Sequence, residues 1–326
     1  MFQRQIVFIV GAGCSAEYGF DVGTGLLRRI ANKMEEPDHC ILQALLRVPG
    51  GNHNVEARLR RFAAGVQSHE TIDQYLDFVR DDPIAVELGK IAIARCILEQ
   101  EEQSGLGDDA LRRGMGPHAD RWMSRLIARI LRDLGRDNVE NAFQNITFIS
   151  FNYDRVIEQI AFHQIFNATG SDKETAATLS GLRVIHPYGS LGRLPWQSGP
   201  DVVEFGEGAA DPHAIRRAAR SLSTFTETVD SAIGNDITHA IASADQICFS
   251  GFGYIRQNME LLQRHNAEEP RRVLMNTYGM PLPEKILSRQ KVLDSLYHRF
   301  PVDQEPIDVD LTASDLIRDW AGTLFN

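Results

Sequence analysis

IVFIVGAGCSAEYGF, residues Ile6 to Phe20, sets five apolar residues directly against a run of small ones. An apolar run of this length, with no polar alternation, reads as a strand buried on both faces. It ends on Gly11-Ala12-Gly13-Cys14-Ser15, which bury almost nothing and leave the backbone open to close approach. Gly11-x-Gly13-x-x-Ala16 fits a dinucleotide-type turn. In that turn the first glycine permits a tight bend, the second admits a pyrophosphate, and the helix that follows offers unbonded N–H groups. The alternative is a glycine turn that only packs a helix on its strand. A hydride-transferring dehydrogenase would add an acidic residue roughly 20 positions on, at the end of a second strand. Here that position falls on Ala31–Glu36, in or just after a helical pattern.

Working outward, the spacing predicts a strand over Gln5–Val10, a short helix to Tyr18, a loop at Gly19–Gly23 and a second helix to Lys33. From Glu35 to Asn141 the pattern is helical, with apolar residues at i, i+3, i+4 in Leu42–Leu46, Ile72–Val79, Ile84–Leu98 and Trp122–Leu134. Thr71 is placed to cap the helix beginning at Ile72, with Asp73 near its positive end, and Ser104–Gly116 reads as an exposed loop. Strand-then-helix alternation resumes at ITFISFNYD, LRVIHPYGSLG, DQICFSGFGY and RRVLMNTYGM. These strands end in polar residues or glycine, as at the ligand-binding edge of a doubly wound parallel sheet. The expected fold is α/β: a Rossmann-like doubly wound parallel sheet formed by residues 1–34 and 142–326, with a large helical insertion, 35–141, after the first βα unit.

Composition narrows the function. The chain has 326 residues, 43% of them apolar, enough for a sizeable core, and a net charge of −10 that argues against direct nucleic-acid or anionic-membrane binding. Its four cysteines, Cys14, Cys40, Cys96 and Cys248, form no C-x-x-C pair, and its histidines no H-x-x-x-H pair. Neither a disulfide framework nor a metal site is expected, and a cytoplasmic location is. No segment approaches the ~18 apolar residues of a membrane span or the core of a signal peptide. Cys14, at a helix start, could be a nucleophile, but a packing role is the expectation.

GAGCSAEYGFDVG, followed in order by SFNYD, VIHPYGSLG, FSGFGY and VLMN, resembles the Sir2 (sirtuin-like) family, in particular its bacterial branch found in antiphage defence. With the strand that precedes the first, the five pieces span residues 6 to 276. The resemblance implies an NAD-binding Rossmann-like fold with an inserted helical module and chemistry at the nicotinamide–ribose bond. Carried over by position, Gly11, Ala12, Gly13 and Ser15 resemble the phosphate-cradling loop, and Phe20 and Asp21 the loop covering nicotinamide. Asn152 and Asp154 of SFNYD resemble the residues that orient the ribose or a water and meet the carboxamide. Gly251, Phe252 and Gly253 fall near the ribose and phosphates, and Asn276 near the adenosine ribose. A strand-to-helix cap is the alternative for Asn152 and Asp154.

Two departures carry weight. Residues 190–247 contain no cysteine, so the zinc module of the protein deacylases is missing. Where the family has His-Gly, this chain has His186-Pro187-Tyr188-Gly189. Alternate strand residues share a face, so His186 is expected as general base, with Tyr188 lining the same pocket; a core histidine is the alternative. With no acyl-lysine platform, water is the nucleophile and an NAD hydrolase releasing nicotinamide and ADP-ribose is expected, the catalytic set being Asn152, His186 and Asp154. ADP-ribosyl transfer, cyclisation, or a sensor binding NAD or a cyclic ADP-ribose signal stay open. The resemblance further implies NAD depletion as a defence effector, a homo-oligomer, and control by a separately encoded partner such as a HerA-type ATPase.

Overall fold

All five residues of β1 (Ile6–Val10) are buried: the strand has a parallel neighbour on each side, and an apolar cluster covers each of its faces. The computed structural model describes residues 4–36, 38–224, 231–263, 272–297 and 305–324. β2 (Ile146–Ser150) pairs with β1 from Ile6↔Ile146 to Val10↔Ser150. β3 (Arg183–Ile185) lies outside β2. The chain then crosses to the other side of β1, where β4 (Gln246–Ser250), β5 (Arg272–Asn276) and β6 (Ile307–Val309) follow in turn. The order β3-β2-β1-β4-β5-β6 is doubly wound and wholly parallel, and its topological switch lies between β1 and β4.

Strand periodicity sends alternate residues to two different cores. Ile6, Phe8 and Val10 pack with Phe148 and Cys248 toward the helical block between β1 and β2; Phe8 and Phe148 stack at 5.5 Å. Val7 and Ile9 pack with Ile149, Phe249 and Met275 on the opposite face.

The first turn is α1 (Ala12–Ala16), then α2 (Gly23–Glu35). The described residues of the block before β2 form helices joined by turns, with no strand: α3 (His39–Leu45), α4 (Val55–Val66), α5 (Ile72–Phe78), α6 (Pro83–Gln103), α7 (Asp108–Leu111) and α8 (Trp122–Leu134), with two 3₁₀ turns. Thr71 caps α5 as expected, accepting from Gln74 N at 3.2 Å. The stretch Ser104–Gly116 is not all loop, since a Gly-Asp-Asp start gives α7 an acidic first turn. This block shares one apolar cluster with the sheet face it covers.

Between β2 and β3 run α9 (Val156–Thr169) and α10 (Asp172–Leu179). Between β3 and β4 come α11 (Pro212–Arg220), which packs on α3 and α6, and α12 (Ser231–Ser243). The chain closes with α13 (Arg256–Leu261), α14 (Leu282–Leu296) and α15 (Ala313–Leu324). His265 and His298, which entered the histidine reading, lie outside the described residues.

Two polar ties brace the helical block, one to the residue after α1 and one to the start of α9. Glu17 accepts from Ser314 N at 2.8 Å and from Trp122 N at 3.4 Å, so one carboxylate caps both α15 and α8. At the start of α9, Arg155 and Glu101 of α6 form a fully buried two-point ion pair, with Nε to Oε1 at 3.1 Å. Losing one member of such a pair costs about 3–5 kcal/mol, because the other charge stays buried.

Candidate active site at the sheet switch point

The glycine turn and its counterpart after β4 touch backbone to backbone. Gly11 N donates to Ser250 O and Gly13 N to Gly251 O, each at 3.0 Å. A Cβ on Gly11 would lie 2.5 Å from Gly251 O, and one on Gly13 2.8 Å from Gly251 Cα. Gly251 has φ +58°, and its own Cβ would sit 2.3 Å from Cys14 N. The three glycines are therefore required by one another, not by a ligand alone, and the Gly13 amide is used inside the protein. Cys14 is buried with its Sγ 3.2 Å from Ser250 Oγ; burial pushes the thiol far up, so it packs and does not react.

Above this turn stands Asn152, just past the end of β2. Its Nδ2 donates to Ser15 Oγ at 2.8 Å and to Gly11 O at 3.1 Å. Ser15 also hydrogen-bonds Asp154, which accepts from Val156 N at 3.2 Å and so caps α9 in part. Burial raises the Asp154 carboxyl to about 6 against the pull of those two bonds, with Glu101 pushing the same way as burial. The cap alternative is thus visible at Asp154, whereas Asn152 bonds the glycine turn.

His186 meets acceptors at both ring nitrogens: Nδ1 is 3.0 Å from Asn152 O and Nε2 2.9 Å from Glu158 Oε1. Only an imidazolium donates from both. Burial pulls its pKa down, but the Glu158 carboxylate, the Asn152 carbonyl and Asp154 outweigh that, and the net shift is upward. As the ring stands, no lone pair faces open space, which departs from the general-base expectation. Tyr188 is buried, with its hydroxyl donating to Asn258 Oδ1 at 2.9 Å. Burial, then the negative charges of Asp73 and Glu260, push that phenol up.

The remaining sequence candidates divide. Phe252 is buried and packs on Phe151 at 5.2 Å, while Gly253 is exposed beside it. Phe20 is buried, and Asp21 is tied to Arg29 at 2.6 Å rather than free. Ala12 is half-buried in the turn. Asn276, at the end of β5, uses Oδ1 to hold its own turn through Tyr278 N at 3.1 Å. The structure brings Gly11, Ala12, Gly13, Ser15, Asn152, Asp154, Gly251 and Phe252 to the edge formed by β1, β2 and β4, whereas Asn276 stands one strand farther out.

Two acids at the site were not among the candidate site residues. Glu158 is the one acid in the first turn of α9 and is buried there beside Val156 and Ile157; an acid against that apolar pair was its signal. Asp73 accepts from the Tyr153 hydroxyl, so the helical block sends a carboxyl to the SFNYD segment; burial raises its pKa although Tyr153 opposes. A cavity of about 520 Å³ lies elsewhere, among Asn54, Arg58, Tyr75, Phe78 and Asp82 of the helical block. Among the described residues no group of three His, Cys, Asp or Glu could hold a metal ion. No described helix is long and apolar enough to cross a membrane.

No family model matches the chain, and no curated protein does. Among solved structures it is similar to a mutant Sir2 homologue in complex with 2′-O-acetyl ADP-ribose, at 14% identity and a TM-score of 0.44, covering 98% of this chain and 91% of that one. It is also similar to a structure described as a basis for the mechanism and regulation of Sir2 enzymes, at 10% identity and a TM-score of 0.38, covering 99% and 92%.

Proposed function

We propose that the protein is a Sir2-like NAD hydrolase that breaks the bond between nicotinamide and ribose. The observation that carries this reading is the switch point itself. Glycine turns from β1 and β4 meet there, and an asparagine side chain from β2 bonds the turn of β1. Ligands of doubly wound sheets bind at that crevice.

In this reading the C1′–N bond breaks with its electron pair going to nicotinamide, and an oxocarbenium-like ribose remains. Asn152 orients the ribose and the incoming water, while Asp154 meets the carboxamide. Water adds to C1′, and the oxonium so formed is acidic enough to lose its proton to solvent, so no dedicated base is demanded. Fixed geometry supplies the rate, because the reacting groups are held before the bond breaks.

A defence role through NAD depletion, a homo-oligomer and a separately encoded regulator such as a HerA-type ATPase belong to the same proposal, as does a cytoplasmic location. The test is chromatography of NAD incubated with the purified protein: equimolar nicotinamide and ADP-ribose are expected. ADP-ribosylated protein or a cyclic product would favour transfer or cyclisation.

A second reading, an NAD-binding sensor, draws on the fully occupied nitrogens of His186 and on Phe151 and Phe252 packed together at the edge. It expects NAD to bind and to be recovered intact.

A further inference from the structure

We propose that Glu158 is a positioning residue which, through His186, clamps the backbone of Asn152 and so holds its side chain at the glycine turn. The inference rests on the hydrolase reading for its activity readout and on geometry for the rest.

The chain of contacts is continuous. Glu158 Oε1 meets His186 Nε2 at 2.9 Å, His186 Nδ1 meets Asn152 O at 3.0 Å, and Asn152 Nδ2 meets Ser15 Oγ at 2.8 Å. A carboxylate and a carbonyl both accept, so the ring between them serves both only with two protons. Glu158 is buried, and among the described residues its second oxygen, Oε2, finds no donor. A half-satisfied buried carboxylate is costly, and a protonated imidazole is the partner that offsets it. An acid one turn into α9 thus reaches back to fix the strand end that precedes it.

The groups facing the ring are the carboxyls of Glu158 and Asp154. Behind Asp154 lies Glu101 of α6, already paired with Arg155. Both facing acids favour the charged ring. The His186 pKa is raised, so the clamp holds below that raised value and fails as pH rises through it. Above it the neutral ring keeps one N–H and must release either Glu158 or the Asn152 carbonyl.

The test follows the His186 ring protons by NMR against pH in the full chain, for wild type, Glu158→Gln and Glu158→Asp, alongside the pH profile of nicotinamide release. In wild type the ring should titrate above the ordinary ~6.5 of histidine. Glu158→Gln should lower that midpoint by about one pH unit, roughly a tenfold change in proton affinity, and carry the alkaline fall in nicotinamide release to lower pH with it. Glu158→Asp should recover part of both shifts, and supplies the comparison if the Gln variant does not fold. A loss of rate equal at every pH, with the midpoint unmoved, would reduce Glu158 to packing and overturn the proposal. If wild type releases no nicotinamide, the hydrolase reading fails by itself. The clamp is then decided by the Asn152 amide signals, which support it if they shift with the His186 titration and refute it if they do not.

Discussion

Asn152 Nδ2 lies 2.8 Å from Ser15 Oγ across 137 residues of chain. The contact joins the ends of two adjacent parallel strands, and its place is set by register: Val10 pairs with Ser150, so the turn after β1 and the segment after β2 emerge side by side. A side chain that binds the glycine turn from the neighbouring strand is poised to read whatever that turn holds.

The glycine contact makes a paired prediction. Gly251→Ala should destabilise strongly or prevent folding, since φ is +58° and the new Cβ would meet Cys14 N at 2.3 Å. Gly253→Ala, two residues on and with nothing within 4 Å, should melt like wild type. Thermal midpoints of the two variants check this, and similar losses in both would show that the turns do not pack as described.

Asp154 should leave a mark on stability against pH. Its carboxyl is raised to about 6, above its ordinary value near 4, so between those limits the folded chain binds the proton more tightly than the unfolded one. Stability then falls as pH rises through that window, by about 3 kcal/mol. Asp154→Asn should remove the fall and melt higher than wild type at pH 8, while losing nicotinamide release. A variant whose melting curve keeps the wild-type pH dependence would assign the effect to another group.

His186 and Tyr188 are separated by sign. If the imidazole accepted a proton from water, the rate would rise with pH through its pKa; with the ring charged between Glu158 and Asn152, the rate should instead fall. His186→Ala should lower the rate at least about a hundredfold. Tyr188→Phe removes one buried hydrogen bond to Asn258 and should cost about 1 kcal/mol of stability with little loss of rate. A dead Tyr188→Phe alongside an active His186→Ala would move the chemistry to the phenol.

Between β3 and β4, α11 packs on α3 and α6 in a stretch that carries no cysteine. Elemental analysis should accordingly find no stoichiometric zinc, and a chelator should leave the melting temperature unchanged. One tightly held zinc per chain would contradict this.

Much of the frame was legible because burial writes itself into composition. Ile6–Val10 is a continuous apolar run, and Ile146–Ser150 and Gln246–Ser250 are three-fifths apolar, as suits strands covered on both faces. β6 was not legible, because a three-residue edge strand, Ile307–Val309, is half-exposed and alternates with a charge. At the site, residues at strand ends could be read from where each run stops. Their partners could not: Asp73 reads as an ordinary first-turn acid of α5, and its bond to Tyr153 spans 80 residues. The reason for the glycines was also hidden, since the atoms that crowd Gly11 and Gly13 belong to a turn 240 residues away in sequence.

The most direct test is to incubate NAD with purified wild type and with Asn152→Ala, and to measure nicotinamide by chromatography. Asn152 is buried, and its loss leaves Gly11 O and Ser15 short of a donor, so a drop of about 1–3 kcal/mol in stability is expected with the fold retained. The account expects nicotinamide and ADP-ribose in equal amounts from wild type and at least about a hundredfold less from a folded Asn152→Ala. NAD recovered intact from wild type, or consumed equally fast by the variant, would contradict it.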